Sequence, residues 1–226
     1  MPEAADNILV PIRQQVAPLR LRIIQSVRRA IERGVLSPGQ RLVEKDLCLQ
    51  LEVSRTSLRE ALRELEADGV LTHVSNRGLT VARIGYRDAE NIYRIRAEIE
   101  AITVEQFIEK ATDEDVLVMS EWGTALVEAY RLGARFEILE SKRRFYDHIC
   151  VVADNNVASE ILNKLSLRTS QLRAPSVSRP ERQVQSIVEI EELTEAIRNR
   201  DTKRAVKAAR NHVHNAARSA LSLIES

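Results

Sequence analysis

The chain has 226 residues, 44% hydrophobic, 30% charged and only 4% aromatic, with 7 glycines and 6 prolines. This is a globular composition for one or two domains, each able to bury a core; it excludes collagen-like, low-complexity and membrane-spanning chains and argues against a β-sandwich or barrel. The net charge of +1 is silent by itself, but residues 1–84 carry 13 Lys/Arg against 10 Asp/Glu and the remainder 21 against 23, a mildly basic first third that is permissive for DNA.

Residues 1–18 hold three of the six prolines and show no period, which predicts a loose arm. From Leu19 the spacing of Leu21, Ile24, Val27 and Ile31 is helical, and Gly34 with Pro38-Gly39 ends the helix in a turn. A short helix follows over 43–51, with Leu47 and Leu51 facing in. Ser54 is an N-cap for a third helix whose stripe is Leu58, Ala61, Leu62 and Leu65, and Gly69 stops it. Residues 70–84 are rich in Val, Leu and Thr around Ser75-Asn76-Arg77-Gly78, the pattern of a β-hairpin. Beyond Gly85 nearly everything is helical in period. Six helices are expected over 86–111, 114–132, 135–153, 157–172, 180–199 and 202–224, with Thr112, Asn155, Asn156 and Asp201 as caps. The fold class is therefore mostly α: a winged helix-turn-helix over 19–84, then an all-α bundle of six to seven helices over 85–226.

Helix, turn, helix and hairpin is the order of a winged helix, whose second helix of the pair enters the major groove. In that helix Arg55, Arg59 and Arg63 recur at four-residue spacing on one face, and Thr56 and Ser57 occupy the first turn. Arginine bonds guanine bidentately or clamps phosphate. Asn76 and Arg77 at the hairpin tip suit a minor groove or a phosphate.

The segment "GVLSPGQRLVEKDLCLQLEVSRTSLREALRELEADGVL" resembles the GntR family of bacterial transcription regulators, and the helical C-terminal part resembles the FadR subfamily with its FCD effector domain. The resemblance implies DNA contacts at Lys45, Arg55, Thr56, Ser57 and Arg59 and at the wing residues Asn76, Arg77 and Gly78. It assigns guanines to Arg55 and Arg59, phosphates to Thr56 and Ser57, and a homodimer on a palindromic operator.

In the first bundle helix Ile92, Ile95, Ile99 and Ile102 form a stripe expected to face inward, and Arg96 falls inside it. An arginine aimed at a core needs an anion, either Glu100 four residues on or an effector carboxylate. The FCD resemblance implies a divalent metal held by one Asp and three His. Here "KRRFYDHI" puts Lys142 at the Asp and Tyr146 at the first His, and "VEIEELTEAI" puts Ile190 at the second; only His212 remains. His148 and His214 lie two residues from Tyr146 and His212, on other faces of their helices, so neither completes the set. No cofactor is expected. Lys142 lies between Ile138 and Phe145 on an inward stripe, unless it reaches the surface or pairs with a neighbouring Glu. With Arg96, Tyr146 and His212 it makes a cationic cavity for a carboxylate or other organic anion.

The reading is a ligand-responsive transcription regulator, expected to be a repressor, cytoplasmic and without membrane contact. Cys48 and Cys150 form no C-x-x-C pair, which fits a reducing compartment. Alternatives are a metal-dependent regulator using His212 with other histidines, a DNA-binding protein whose bundle only dimerises, and an enzyme fused to a DNA-binding module. The bundle offers no nucleophile–base pair, phosphate loop or carboxylate cluster for the last.

Overall fold

A computed structural model describes residues 17–224. The arm expected over 1–18 lies outside the described residues up to residue 16. Ala17 and Pro18 instead open helix α1 (Ala17–Glu32). Helix α2 (Glu44–Leu51) and helix α3 (Arg55–Ala67) follow, and α3 starts where the Ser54 side chain accepts from the Ser57 amide at 3.1 Å. Strands β1 (Leu71–Val74) and β2 (Gly78–Val81) pair antiparallel. Asn76 and Gly78 both take left-handed backbone at the tip, φ 67° and 78°, where asparagine and glycine are the least strained residues. The turn after α1 adds a bridge from Arg41 to Thr80, so the wing is stitched to the helix pair as well as to itself.

One hydrophobic cluster joins Ile23, Ile24, Val27 and Ile31 of α1 to Leu58, Leu62 and Leu65 of α3 and to Leu71 and Val81. Its boundary is crossed from the far half of the chain, because Leu167 belongs to it.

The bundle comprises α4 (Tyr86–Lys110), α5 (Asp113–Leu132), α6 (Arg135–Val152), α7 (Asn156–Arg168), α8 (Ser170–Val177), α9 (Pro180–Arg198) and α10 (Thr202–Leu221). Thr112, Asn155 and Asp201 cap α5, α7 and α10 as the sequence suggests. The helix expected over 157–172 is instead two. Thr169 sits at the break, its hydroxyl bonding back to the carbonyl of Leu165 at 3.1 Å, and α8 runs on through Pro175. The main core is built around Phe107, Met119, Leu126, Ile138, Phe145, Ile149, Ile190 and Leu193.

The isoleucine stripe of α4 is corrected by the structure. Ile92 is buried, but Ile95 is 50% exposed and Ile102 45% exposed. The face that packs inward is Ala89, Tyr93, Arg96, Ala97, Glu100 and Val104. Small residues there let α10 lie close with its own Ala205, Ala208 and Ala209. Arg96 and Glu100 can be buried because they satisfy each other: Arg96 Nη2 donates to Glu100 Oε1 at 2.7 Å, both side chains nearly inaccessible.

The two halves are docked. Lys164 pairs with Asp68 at 3.5 Å, Gln171 Nε2 donates to the Ala82 carbonyl at 3.3 Å, and the Arg33 guanidinium lies 4.6 Å over the Phe136 ring.

Candidate functional site

The surface of the first half carries most of the residues singled out for DNA. Lys45, Arg55, Thr56, Arg59, Asn76 and Arg77 are exposed, and Ser57 and Gly78 are half-buried. The Ser57 amide is consumed by the Ser54 cap, and the two hydroxyls lie 3.0 Å apart, leaving Ser57 a hydroxyl rather than an N–H to offer. Arg59 is not idle in the free protein: its Nε donates to both carboxylate oxygens of Glu44, at 2.8 and 3.1 Å. A ligand reaching Arg59 must displace an exposed ion pair, which costs about 0–1 kcal/mol. Arg63 is exposed on the same helix.

The second site is a polar centre enclosed by α4, α6, α9 and α10. Lys142 is buried, so it neither reaches the surface nor pairs with a glutamate within ion-pair distance among the described residues. Its Nζ lies 2.7 Å from His212 Nε2. His212 is wholly buried, and its Nδ1 lies 2.8 Å from Glu189 Oε2. A carboxylate accepts, so Nδ1 carries the proton and Nε2 accepts from Lys142. Glu189 is held further by Arg182 through two bonds of 3.0 and 2.8 Å and by Asn215 Nδ2 at 2.5 Å. The chain of contacts thus runs Lys142, His212, Glu189, Arg182, across three helices.

Burial first, and then the Lys142 charge, brings His212 down to about 4. Burial alone would raise Glu189, but hydrogen bonds from His212 and Arg182 outweigh it and hold the carboxyl at about 2. Lys142 is pulled well below the usual ammonium range by burial and by Arg173. Tyr146 is pushed well above its ordinary value by burial and the Glu100 carboxylate. An acid sensitivity follows. As pH falls from 6.5 toward 4 the unfolded chain protonates its histidine while the folded chain resists, so the unfolded state binds more protons and stability drops, by roughly 3 kcal/mol from this group. Glu189 adds a further loss from 4.5 toward 2. Thermal melts of the native chain should fall across the upper window, and His212→Gln should flatten it; parallel profiles would disprove the assignment.

Of the four residues expected in the pocket, Arg96, Lys142 and Tyr146 line one cavity of about 540 Å³ with Glu100 and Arg173. His212 is not in its wall and stands behind Lys142. Ile190, expected at a former ligand position, is in the hydrophobic core. His148 lies 3.0 Å by Nε2 from the Asp115 carbonyl, bridging α6 to α5, and His214 is exposed. Sequence reasoning missed Glu189, Arg182 and Arg173. The available signal was Arg182 and Glu189 seven residues apart, two turns along one helix, with Ser186 between them on the same face.

Comparison with known proteins supplies the family. The model of bacterial regulatory proteins of the gntR family matches residues 19–81, and the FCD domain model matches residues 91–215, more than half of the chain. The chain belongs to the gntR family, with an FCD domain. This gntR regulator is 30% identical over 150 residues to the HTH-type transcriptional regulator McbR of Escherichia coli (strain K12), 66% of this chain and 68% of McbR. It is 27% identical to the HTH-type transcriptional regulator YdhC of Bacillus subtilis (strain 168), over 66% of this chain and 67% of that one. In fold it matches the solved structure of E. coli McbR/YncC with a TM-score of 0.77 at 24% identity, covering 92% of this chain and 97% of that one. The gntR chain is a DNA-binding transcription regulator and not an enzyme. Among the described residues no helix is long and apolar enough to cross a membrane.

Proposed function

We propose that this regulator is a cytoplasmic repressor that binds a palindromic operator as a homodimer and responds to a small organic anion, without a metal. The observation that carries the effector reading is the cationic wall of the bundle cavity: Arg96, Lys142 and Arg173 border it, and desolvated cations favour an anionic guest. Tyr146 supplies a hydroxyl there, and His212 acts behind the wall by holding Lys142. The donor set does not fit a divalent ion. An ammonium group stands 2.7 Å from the histidine nitrogen that an ion would need, and among the described residues no cluster of three His, Cys, Asp or Glu side chains could hold one.

For DNA, Arg55 and Arg59 read base edges, Thr56, Ser57 and Lys45 hold phosphates, and Asn76, Arg77 and Gly78 enter the minor groove. The exposed arginine face and wing tip support this. The outward isoleucines of α4, Ile95 and Ile102, support a twofold partner on that face. A repressor is favoured by a 24% identity, over 89% of each chain, to the HTH-type transcriptional repressor RspR of E. coli (strain K12).

A thermal-shift screen of organic acids tests the effector reading. A guest at a hundred times its Kd should stabilise the folded chain by about 2.7 kcal/mol, in EDTA as well as without it. Lys142→Met should abolish the shift. Stabilisation by zinc or nickel that EDTA removes would overturn it.

A further inference from the structure

The cavity is not confined to the bundle. Its wall includes Gln25, Arg28, Arg29 and Glu32, all on α1, the first helix of the DNA-binding half. From the other side come Arg96 and Glu100 of α4, Lys142 and Tyr146 of α6, and Arg173 of α8. At about 540 Å³ it lies within the range of small-molecule sites. Six of the lining residues are cationic, Arg28, Arg29, Arg96, Lys142, Arg143 and Arg173, against three acids, Glu32, Glu100 and Asp147. The excess of three positive charges is spread over both halves of the molecule.

Unpartnered polar atoms occur at both ends. On the bundle side Arg96 Nε is a buried donor without a hydrogen bond. On the α1 side Arg28 Nε is in the same condition, although its Nη2 is held by Asp68 at 3.1 Å. A buried donor left unpaired is unfavourable, and a ligand that supplied acceptors at both ends would partner these two.

We infer that the effector is an elongated organic anion with an acidic group at each end, which bridges the two domains. One end sits against Arg96, Lys142 and Arg173, and the other against Arg28 and Arg29. This rests on the organic-anion reading above and adds to it that the guest touches α1 directly. The consequence for regulation is mechanical. Helix α1 shares its core with the recognition helix α3 through Ile24, Val27 and Ile31 against Leu58, Leu62 and Leu65, so a ligand that fixes α1 on the bundle also fixes α3. The winged helix is then held in one docking geometry relative to the bundle, with no relay through a chain of intermediate side chains.

The test is calorimetric titration of the full chain with α,ω-dicarboxylates from succinate to suberate, and with hexanoate as the one-headed control. Wild type, Arg29→Gln and Lys142→Met are compared; Arg29 is exposed and its replacement should not disturb the core. The diacid that spans the cavity should bind more tightly than hexanoate. Arg29→Gln should weaken that diacid about 10-fold, the worth of one charge-assisted contact, and leave hexanoate unchanged, while Arg29→Lys restores part of the loss. Lys142→Met should lose both ligands. If Arg29→Gln binds every diacid as wild type does while Lys142→Met binds none, the guest is confined to the bundle: the bridge falls and the organic-anion reading stands. If wild type binds neither diacid nor hexanoate at millimolar concentration, both readings fall together.

Discussion

Glu189→Ala lowers the stability of the folded chain by about 3–5 kcal/mol, the range for removing one partner of a buried ion pair. The Glu189 carboxylate accepts from Arg182 twice, from His212 Nδ1 and from Asn215. Arg182 is only 4% exposed, so truncation leaves a guanidinium in the interior without its ion-pair carboxylate among the described residues. It also frees the His212 ring, and with it the tautomer that accepts from Lys142. Glu189→Gln keeps an acceptor for Asn215 and should lose less. Urea denaturation should show the midpoint moving at unchanged m value; a midpoint equal to wild type in Glu189→Ala would disprove the network's role.

Arg59→Ala relaxes or abolishes operator selection, with about 1–3 kcal/mol of discrimination lost at one base pair of each half-site. Arg59 stands on the exposed face of α3 between Arg55 and Arg63, and in the free protein Glu44 occupies its Nε. On the proposed reading, binding exchanges that exposed pair for a base edge. Lys45→Ala is the counterpart: a point charge on phosphate, whose loss weakens specific and random DNA alike and lowers the salt slope by about 1. Binding isotherms on operator and scrambled duplexes at several salt concentrations separate the two. Equal loss on both duplexes in Arg59→Ala would remove it from base readout.

Much of the architecture was legible because its signals are local. Ser54, Thr112, Asn155 and Asp201 each cap a helix through an amide three residues on, and the wing tip at Asn76 and Gly78 needs left-handed backbone. The break at Thr169 was not legible, since its side chain returns to the backbone of its own helix without a glycine or proline to mark it. The inward face of α4 was misjudged because period alone does not choose between a stripe of isoleucines and one holding Arg96 and Glu100. What decided it was the close packing of α10, a tertiary fact. The Glu189 network escaped for a similar reason: His212 is 23 residues from Glu189 and 70 from Lys142 along the chain, and His212 alone gave no hint of which carboxylate would face it.

Leu167 has a consequence for building new sensors from this scaffold. Its side chain is 4% exposed and belongs to the core of the winged helix, although α7 belongs to the bundle. Cutting the chain at the linker near Gly85 would therefore divide a single packed interior instead of separating two finished modules. A chimera that grafts this DNA-reading half onto a foreign receptor has to carry an apolar plug in the same place, or redesign the socket that Leu167 fills.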